Sequence, residues 1–585
     1  CRCARGCAVR SSRHTIAFSA SPLLASRTPV WRSRFVLAVL ALAFVTLAGR
    51  AVYVQLLGND FFQKQGEARF ARTIELPPSR GRVLDRNGLI LASSVPAFGI
   101  WADGANPSDP NMGQLAKLLG MNKNAVAEHI KRSADGFVYL KRQVDEATRE
   151  RIKALGMVGV SDTKEYMRLY PEGDAAAHVV GFTNIENKGL EGVELAFNTQ
   201  LSGHAGSRRV IKDRMGSIIE DLRDVIPPVN GQDVQLSIDS KVQFFAYDQL
   251  RTAVELHKAK GGSAVVLDAQ SGEVLAMANY PSYNPSDRRN LTGELLRNRT
   301  ITDTFEPGST MKPFVVALAL ERGVVTPTTT YQTAPGYIDI GRHRISDSHE
   351  HGVLNVTQIV EKSSNVGTVK ISMDLSAQAM WTTFTQVGIG QKPVVPFPGA
   401  ASGRLRGYES WRPVEKATMS YGYGLSTSLF QLARAYTIFA RNGDMAPLTM
   451  IKANGAVTGT PVFSPKVAGQ MRDMLALATG DEGTAPRAQT LGYSVAGKTG
   501  TARKVEGKSY GKKYRAFFVG YAPADKPRVV VAVMIDEPGK GQFYGGIVAA
   551  PVFSQTVQNT LRIMGLQPDQ AVRPNINAVG AQESF

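Results

Sequence analysis

A serine and a lysine stand three residues apart in Phe305-Glu306-Pro307-Gly308-Ser309-Thr310-Met311-Lys312-Pro313, just ahead of an apolar run from Phe314 to Leu320. A helix starting near Ser309 would put positions i and i+3 on one face, with the amine beside the hydroxyl. A serine hydroxyl is a poor nucleophile at neutral pH and needs a base. A buried lysine can serve when desolvation or a neighbouring cation lowers its pKa. The helix N-terminus would also point backbone N–H groups at developing negative charge. Pro313 falls in the opening turn, where a missing N–H costs least, but the residue before proline resists the α region, so local distortion is expected. Glu321-Arg322-Gly323 reads as the helix end.

About two Ser-x-x-Lys patterns arise by chance in a chain of this length, and two others occur, Ser161 with Lys164 and Ser509 with Lys512. Neither precedes an apolar helical run, so both read as surface. Downstream, Ser363-Ser364-Asn365 opens another predicted helix, and Lys498-Thr499-Gly500-Thr501 follows a predicted strand, Tyr493 to Gly497. Singly, each has a plain structural reading: Lys498 as a solvated strand lysine, Ser363 as a helix cap. His343, His349 and His351 with Asp347 lie in a polar loop, and no metal is expected there.

These groups need a large scaffold. The chain has 585 residues, 43% hydrophobic and 20% charged, enough for several domains and a substantial core. Residues 1–34 hold seven arginines and no acid, leaving +11 of the net +18 for everything after. No zinc-finger or aromatic RNA-binding pattern occurs, so a nucleic-acid partner is not expected. A mildly basic surface suits lipid headgroups or a carboxylate-bearing polymer. Cys1, Cys3 and Cys7 lack a fourth metal ligand and read as part of an upstream-extended or processed terminus with no role. From residue 8 on there is no cysteine, hence neither disulfide nor thiol nucleophile.

The apolar block Phe35–Gly49 continues past Arg50 to Leu57, roughly the 20 residues that cross a bilayer. The arginine-rich flank should stay cytoplasmic. Small residues near Ala48 resemble a signal-peptide cleavage site, but the apolar continuation favours an uncleaved anchor. Residues 58–230 mix short strands, helices and turns, including Arg80–Gly88, Arg168–Pro171 and Gly189–Glu194. Ile226-Pro227-Pro228-Val229-Asn230-Gly231 marks a boundary. Ser263–Asp268 with Glu273–Ala278, and Ala516–Tyr521 with Val529–Ile535, read as hairpins. Ser426–Ala440 reads as a helix. Strands at both ends of residues 231–566 with helices between predict an α+β layer, one antiparallel sheet built from both chain ends and flanked by helices. Residues 567–585 read as a polar tail.

Taken in order, Ser-x-x-Lys, Ser-x-Asn and Lys-Thr-Gly resemble the signature of penicillin-binding proteins and serine β-lactamases. Phe305–Pro313, Ser363–Gly367, Tyr421-Gly422-Tyr423-Gly424-Leu425 and Arg80–Gly88 are similar to class B penicillin-binding proteins. Met167–Pro171, Gly181–Asn184 and Asn187–Glu194 most resemble the septal Gram-negative branch, over roughly residues 31–566. The resemblance implies an inner-membrane D,D-transpeptidase with a cytoplasmic N-terminus, a noncatalytic pedestal and a periplasmic catalytic domain. It implies Ser309 as nucleophile and Lys312 as its base. Lys498 and Ser363 would relay a proton, and Asn365 would bind the stem-peptide amide. Thr499 and Thr501 would hold the terminal carboxylate, with the Ser309 and Thr501 N–H groups, beside Gly500, facing the oxyanion. Implied partners are peptidoglycan stem peptides as D-Ala-D-Ala donor and amine acceptor, β-lactams, a multi-pass membrane glycosyltransferase and other division proteins; no cofactor is implied. The alternatives are an elongation-type relative or a catalytically silent scaffold or β-lactam sensor. A β-lactamase would be about half this length. The glutamate motif of a glycosyltransferase is missing before residue 230, where Glu220-Asp221 continues as Leu222-Arg223-Asp224.

Overall fold

A computed structural model describes residues 29–57, 71–132, 137–212, 218–289, 291–507, 509–539 and 541–571. The three cysteines and most of the arginine-rich flank lie outside the described residues. The chain divides into two compact units, Cys1–Ile74 with Ser207–Val225, and Glu75–Gly206 with Ile226–Phe585.

In the first unit, the apolar block forms helix α1 (Val30–Val52), which runs on as a π-turn, Tyr53–Leu57. The helix starts five residues before the sequence-predicted Phe35, because Pro29 is a natural first stop and Ser33 bonds back to the Val30 carbonyl at 3.1 Å. Its apolar stretch, Val30–Gln55, has a mean hydropathy of 2.3 and is long enough to cross a membrane. Most of a three-stranded sheet of Ala71–Leu76, Gly206–Lys212 and Ile218–Ile226 also belongs to this unit.

The second unit opens with a mixed sheet. Strands β1 (Val83–Leu84), β2 (Ile90–Ala102), β3 (Val138–Val144) and β4 (Val160–Leu169) pair antiparallel through β2, and β5 (Val234–Gln235) adds in parallel to β1. The Asn-Gly turn expected after Leu84 is present, with Gly88 at φ +87° and the Asp85 carboxylate accepting from the Asn87 and Leu89 N–H groups at 2.7 and 2.9 Å. The stretches read from sequence as turn punctuation do more than turn the chain. Glu194 accepts from Arg80 Nε at 2.6 Å and from Arg168 Nε at 2.7 Å, and all three side chains are buried. Arg80 also reaches Asn198 Oδ1, Ser202 Oγ and the Asn187 carbonyl. The other two Ser-x-x-Lys pairs sit on exposed strand segments, where residues i and i+3 point to opposite faces.

Helix α2 (Gly173–Val180) packs against α3 (Ser240–Leu256), which the Asp239 side chain caps by accepting from the Lys241 and Val242 N–H groups. Strands β6 (Gly261–Asp268) and β7 (Val274–Tyr280) form the first expected hairpin; β9 (Ser509–Ala522) and β10 (Val529–Asp536) form the second. Because β6 pairs with β10, the sheet joins both ends of the domain, in the order β7-β6-β10-β9-β8, all antiparallel, with β8 (Ala496–Glu506) on an edge. The strand predicted from Tyr493 starts at Ala496, after a Thr490–Tyr493 turn bridge.

Apolar residues run unbroken from Val529 to Ile535 because both faces of this sheet are covered. Val530 and Ala532 face the core that contains α4 (Lys312–Glu321) and α6 (Leu429–Ala440). Val531 and Val533 face α3 and α7 (Ala550–Ile563). Between α4 and α6 in sequence lies α5 (Asn365–Met373). Helix α6 begins after the predicted Ser426, because Ser426 and Thr427 pair with Arg404 and Phe305; Ser428 is its N-cap, with Gln431 closing a capping box.

His178, on α2, is buried with Nε2 2.7 Å from the Leu295 carbonyl and Nδ1 3.3 Å from Ser282 Oγ. Burial pushes its pKa from 6.5 down to about 4, with Arg299 acting in the same direction. The folded protein therefore holds a neutral imidazole where the unfolded chain binds a proton. Stability is complete above pH 6.5 and falls by up to about 3 kcal/mol as pH drops through the window to 4. Comparing unfolding midpoints at pH 7 and pH 5 should show a larger acid loss for the wild type than for His178→Gln; equal losses would remove His178 as the cause.

Candidate active site

Ser309 does not open an α-helix. It lies in a 3₁₀ turn, Gly308–Met311, and the α-helix begins at Lys312 with Pro313 next. The distortion expected ahead of the proline is this tighter turn. Gly323, at φ +66°, follows the helix end. Three contacts hold the turn. Thr310 Oγ1 donates to the Pro307 carbonyl at 2.8 Å, the Tyr436 hydroxyl donates to the Thr310 carbonyl at 2.8 Å, and the Gly308 N–H donates to the Gly422 carbonyl at 3.2 Å. A Cβ on Gly422, itself at φ +85°, would sit 2.1 Å from the Gly308 carbonyl oxygen. One on Gly500 would meet the Thr310 methyl at 2.9 Å. Glycine is thus what lets the Tyr421–Leu425 loop and β8 close on the turn that carries Ser309 from two sides. Glu306 fastens the same loop, its Oε1 accepting from the Gly424 N–H at 2.8 Å and the Tyr510 hydroxyl at 3.1 Å.

Lys312 is 1% exposed at the head of α4, a helix otherwise apolar through Leu320. Its Nζ donates to the Ser363 carbonyl at 2.5 Å and to Ser363 Oγ at 3.2 Å, across 51 residues of chain. Burial pulls its pKa down to about 7, against the opposing charge of Asp347. Lys498, fully buried on β8, is pushed well below the usual lysine range by burial and then by the charge of Lys312.

Ser363 sits at φ +60°, and Ser364 caps α5 by accepting from the Gly367 N–H at 2.9 Å. The sequence reading of Ser363 as a cap therefore belongs to its neighbour. Asp347 holds this corner: it accepts from Ser364 Oγ at 2.6 Å, from the Val366 N–H at 3.0 Å and from the Asn365 N–H. Asn365 Nδ2 donates to the Ser346 carbonyl at 2.7 Å. A carboxylate on the first N–H groups of a helix is a favoured arrangement, and it gives Asp347 a role that the metal reading did not. Among the described residues, no three His, Cys, Asp or Glu side chains are grouped to hold a metal.

Ser309, Ser363, Asn365, Thr499, Gly500 and Thr501 line one cleft of about 510 Å³, and the buried Lys312 and Lys498 are bonded to two of these, Ser363 Oγ at 3.2 Å and Thr499 Oγ1 at 3.4 Å. Thr499 donates to Thr484 Oγ1 at 3.1 Å, and Thr501 Oγ1 accepts from the Gly545 N–H at 3.2 Å. Six of the eight residues singled out from the sequence line this cleft, and the other two, the lysines, touch its lining. Sequence reasoning missed Asp347, Glu306 and Tyr436 as positioning groups. Gly422 carried the only usable signal, in the doubled Tyr-Gly.

The description of the penicillin binding protein transpeptidase domain matches residues 262–558, and that of the penicillin-binding protein dimerisation domain matches residues 75–236. The chain is 41% identical over 544 residues to the probable peptidoglycan D,D-transpeptidase PenA of Neisseria gonorrhoeae, covering 92% of this chain and 93% of that one. It is 39% identical over 549 residues to the peptidoglycan D,D-transpeptidase FtsI of Escherichia coli K12, with the same coverage. Among solved structures, the transpeptidase domain of Burkholderia pseudomallei penicillin-binding protein 3 superposes with a TM-score of 0.54 at 49% identity, covering 57% of this chain and 98% of that one.

Proposed function

The chain belongs to the class B penicillin-binding proteins, and from that premise we propose that it is the peptidoglycan D,D-transpeptidase of the division septum, working through an acyl-enzyme on Ser309. The observation that carries the reading is one cleft lined by a clamped serine and the Ser363–Asn365 corner, with two buried lysines bonded to its lining.

Neutral Lys312 takes the Ser309 hydroxyl proton as Oγ bonds to the carbonyl carbon between the terminal D-alanines of a donor stem peptide. The N–H groups of Ser309 and Thr501 face the oxygen as it becomes negative. Asn365 holds the donor amide, and the Thr499 and Thr501 hydroxyls hold the terminal carboxylate. As the C–N bond breaks, a proton reaches the departing amine through Ser363, which Lys312 already touches, with Lys498 taking part in the relay. An acceptor amine then displaces Ser309 Oγ, which recovers its proton. A β-lactam opens on Ser309 in the same way but leaves its acyl group in place. The anchor α1 would hold the N-terminus in the cytoplasm and the catalytic domain in the periplasm, with residues 58–230 as a pedestal that meets a membrane glycosyltransferase and other division proteins.

Labelling with fluorescent penicillin, followed by mass mapping of the adduct, tests this. The label is expected on the peptide containing Ser309 and absent from Ser309→Ala. Persistent labelling of folded Ser309→Ala would sink the nucleophile, and rapid loss of label from the wild type would point to a β-lactamase.

A further inference from the structure

The transpeptidase reading leaves one end of the cleft without a role. The chain next to the predicted helix cap carries Lys362, whose Nζ donates across the cleft to the Glu482 carbonyl at 2.7 Å and to its carboxylate at 3.3 Å, and also pairs with the neighbouring Glu361 carboxylate at 3.3 Å. Both residues line the same cavity as Ser309. Lys362 is about a quarter exposed, whereas the Glu482 side chain is 89% exposed. The Glu482 carboxylate is therefore free to swing into water while the ammonium stays at the cleft wall. Glu482 is two residues from Thr484, which accepts from Thr499, so the pair sits at the Thr499 end of β8.

The polarity of β8 decides what that end is for. Ala496 to Lys498 are buried, and accessible residues begin at Thr499 and Thr501, between the buried Gly500 and Ala502, and continue from Arg503 to Glu506. A donor with its terminal carboxylate on Thr499 and Thr501 must extend its acyl part toward Ala502–Val505. The leaving D-amino acid then departs beside Thr499, Thr484, Lys362 and Glu482. Cross-linking replaces one amine on the acyl carbon with another. By microscopic reversibility the acceptor nitrogen enters along the path that the leaving nitrogen took.

We propose that Lys362 and Glu482 form the acceptor subsite, selecting an amine that bears a carboxylate on the same carbon; this rests on the transpeptidase reading above. The Lys362 ammonium takes the acceptor carboxylate, and Glu482 occupies that position until the acceptor arrives. The neutral acceptor nitrogen bonds to the acyl carbon, the bond from that carbon to Ser309 Oγ breaks, and the proton lost by nitrogen ends on Oγ. Nothing is oxidised or reduced. A side-chain amine without the adjacent carboxylate makes no contact with Lys362 and is accepted poorly.

The test uses the full chain in detergent, acylated with an N-acyl-D-alanyl thioester, and offers D-alanine or D-alaninamide at equal free-amine concentration. Mass spectrometry reads the ratio of amide product to hydrolysed acid. That ratio is set after acylation, so it counts only folded, acylated molecules. The wild type should favour D-alanine by about tenfold, the worth of one charge-assisted hydrogen bond. Lys362→Met should bring the preference to within about twofold, the level of an unpaired exposed site. Glu482→Gln, which removes the exposed one of the two carboxylates on Lys362 and leaves Glu361, should raise it above the wild type. Opposite signs from the two partners of one ion pair are not what loss of a merely structural bridge produces. A wild type indifferent to the carboxylate, or Lys362→Met with wild-type preference, would overturn the subsite. A wild type that forms no acyl-enzyme would instead overturn the transpeptidase reading, and the subsite with it.

Discussion

Replacing Lys312 with methionine should slow acylation of Ser309 by penicillin by roughly 10²–10⁴-fold, the worth of a positioned general base. Methionine fills the buried volume at the head of α4 without supplying a base. Lys312→Arg should be as slow, because a guanidinium keeps its proton throughout the accessible pH range. The pH profile carries the sign. The amine is the active form, and burial has brought its pKa down to about 7. The wild-type acylation rate should therefore rise with pH through 7 and level off above it. Asp347 opposes the downward shift by stabilising the ammonium, so Asp347→Asn should move the midpoint to lower pH, provided that α5 keeps its cap. Stopped-flow acylation between pH 5.5 and 9 would measure this. A flat wild-type profile, or an arginine variant at wild-type speed, would remove Lys312 as the base.

The largest loss of stability is expected outside the cleft, at Glu194. Its carboxylate is fully buried between two buried guanidiniums. Glu194→Ala leaves Arg80 and Arg168 charged and unpaired in a dry interior, which should cost about 3–5 kcal/mol. Replacing all three together, as Arg80→Met, Glu194→Leu and Arg168→Met, should cost far less than the single change, because no charge is then stranded. Thermal unfolding and protease resistance of the full chain would compare the two. If the triple variant is the less stable, the hydrogen bonds from Arg80 to Asn187, Asn198 and Ser202 matter more than the ion pairs do. Either way the loss should be read in folding, since no member of the network lines the cleft.

The sequence by itself determined the pieces whose signals are local. The two hairpins were legible because each pairs strands across a short polar loop, and the long N-terminal helix because about 20 consecutive apolar residues are enough to cross a bilayer. Ser309 and Lys312 were legible as a pair because three residues of spacing keep them together in a 3₁₀ turn as well as in an α-helix. The order of the three motifs pointed to the family, although no one of them was specific alone.

Tertiary structure decided the rest. The shift in Lys312 comes from burial by α4's neighbours, and a lysine ahead of an apolar run reads the same whether it is dry or wet. Asp347 grips α5 across 17 to 19 residues of chain, and Gly422 closes on a turn more than a hundred residues earlier. Arg80, Arg168 and Glu194 read as turn residues because their partners lie 26 and 114 residues away. Desolvation and long-range hydrogen bonding depend on which segments the whole fold brings together, whereas a local pattern records only which residues are neighbours along the chain. That is why Ser309 could be found from its spacing, and why the state of the proton on Lys312 is set by the three-dimensional fold.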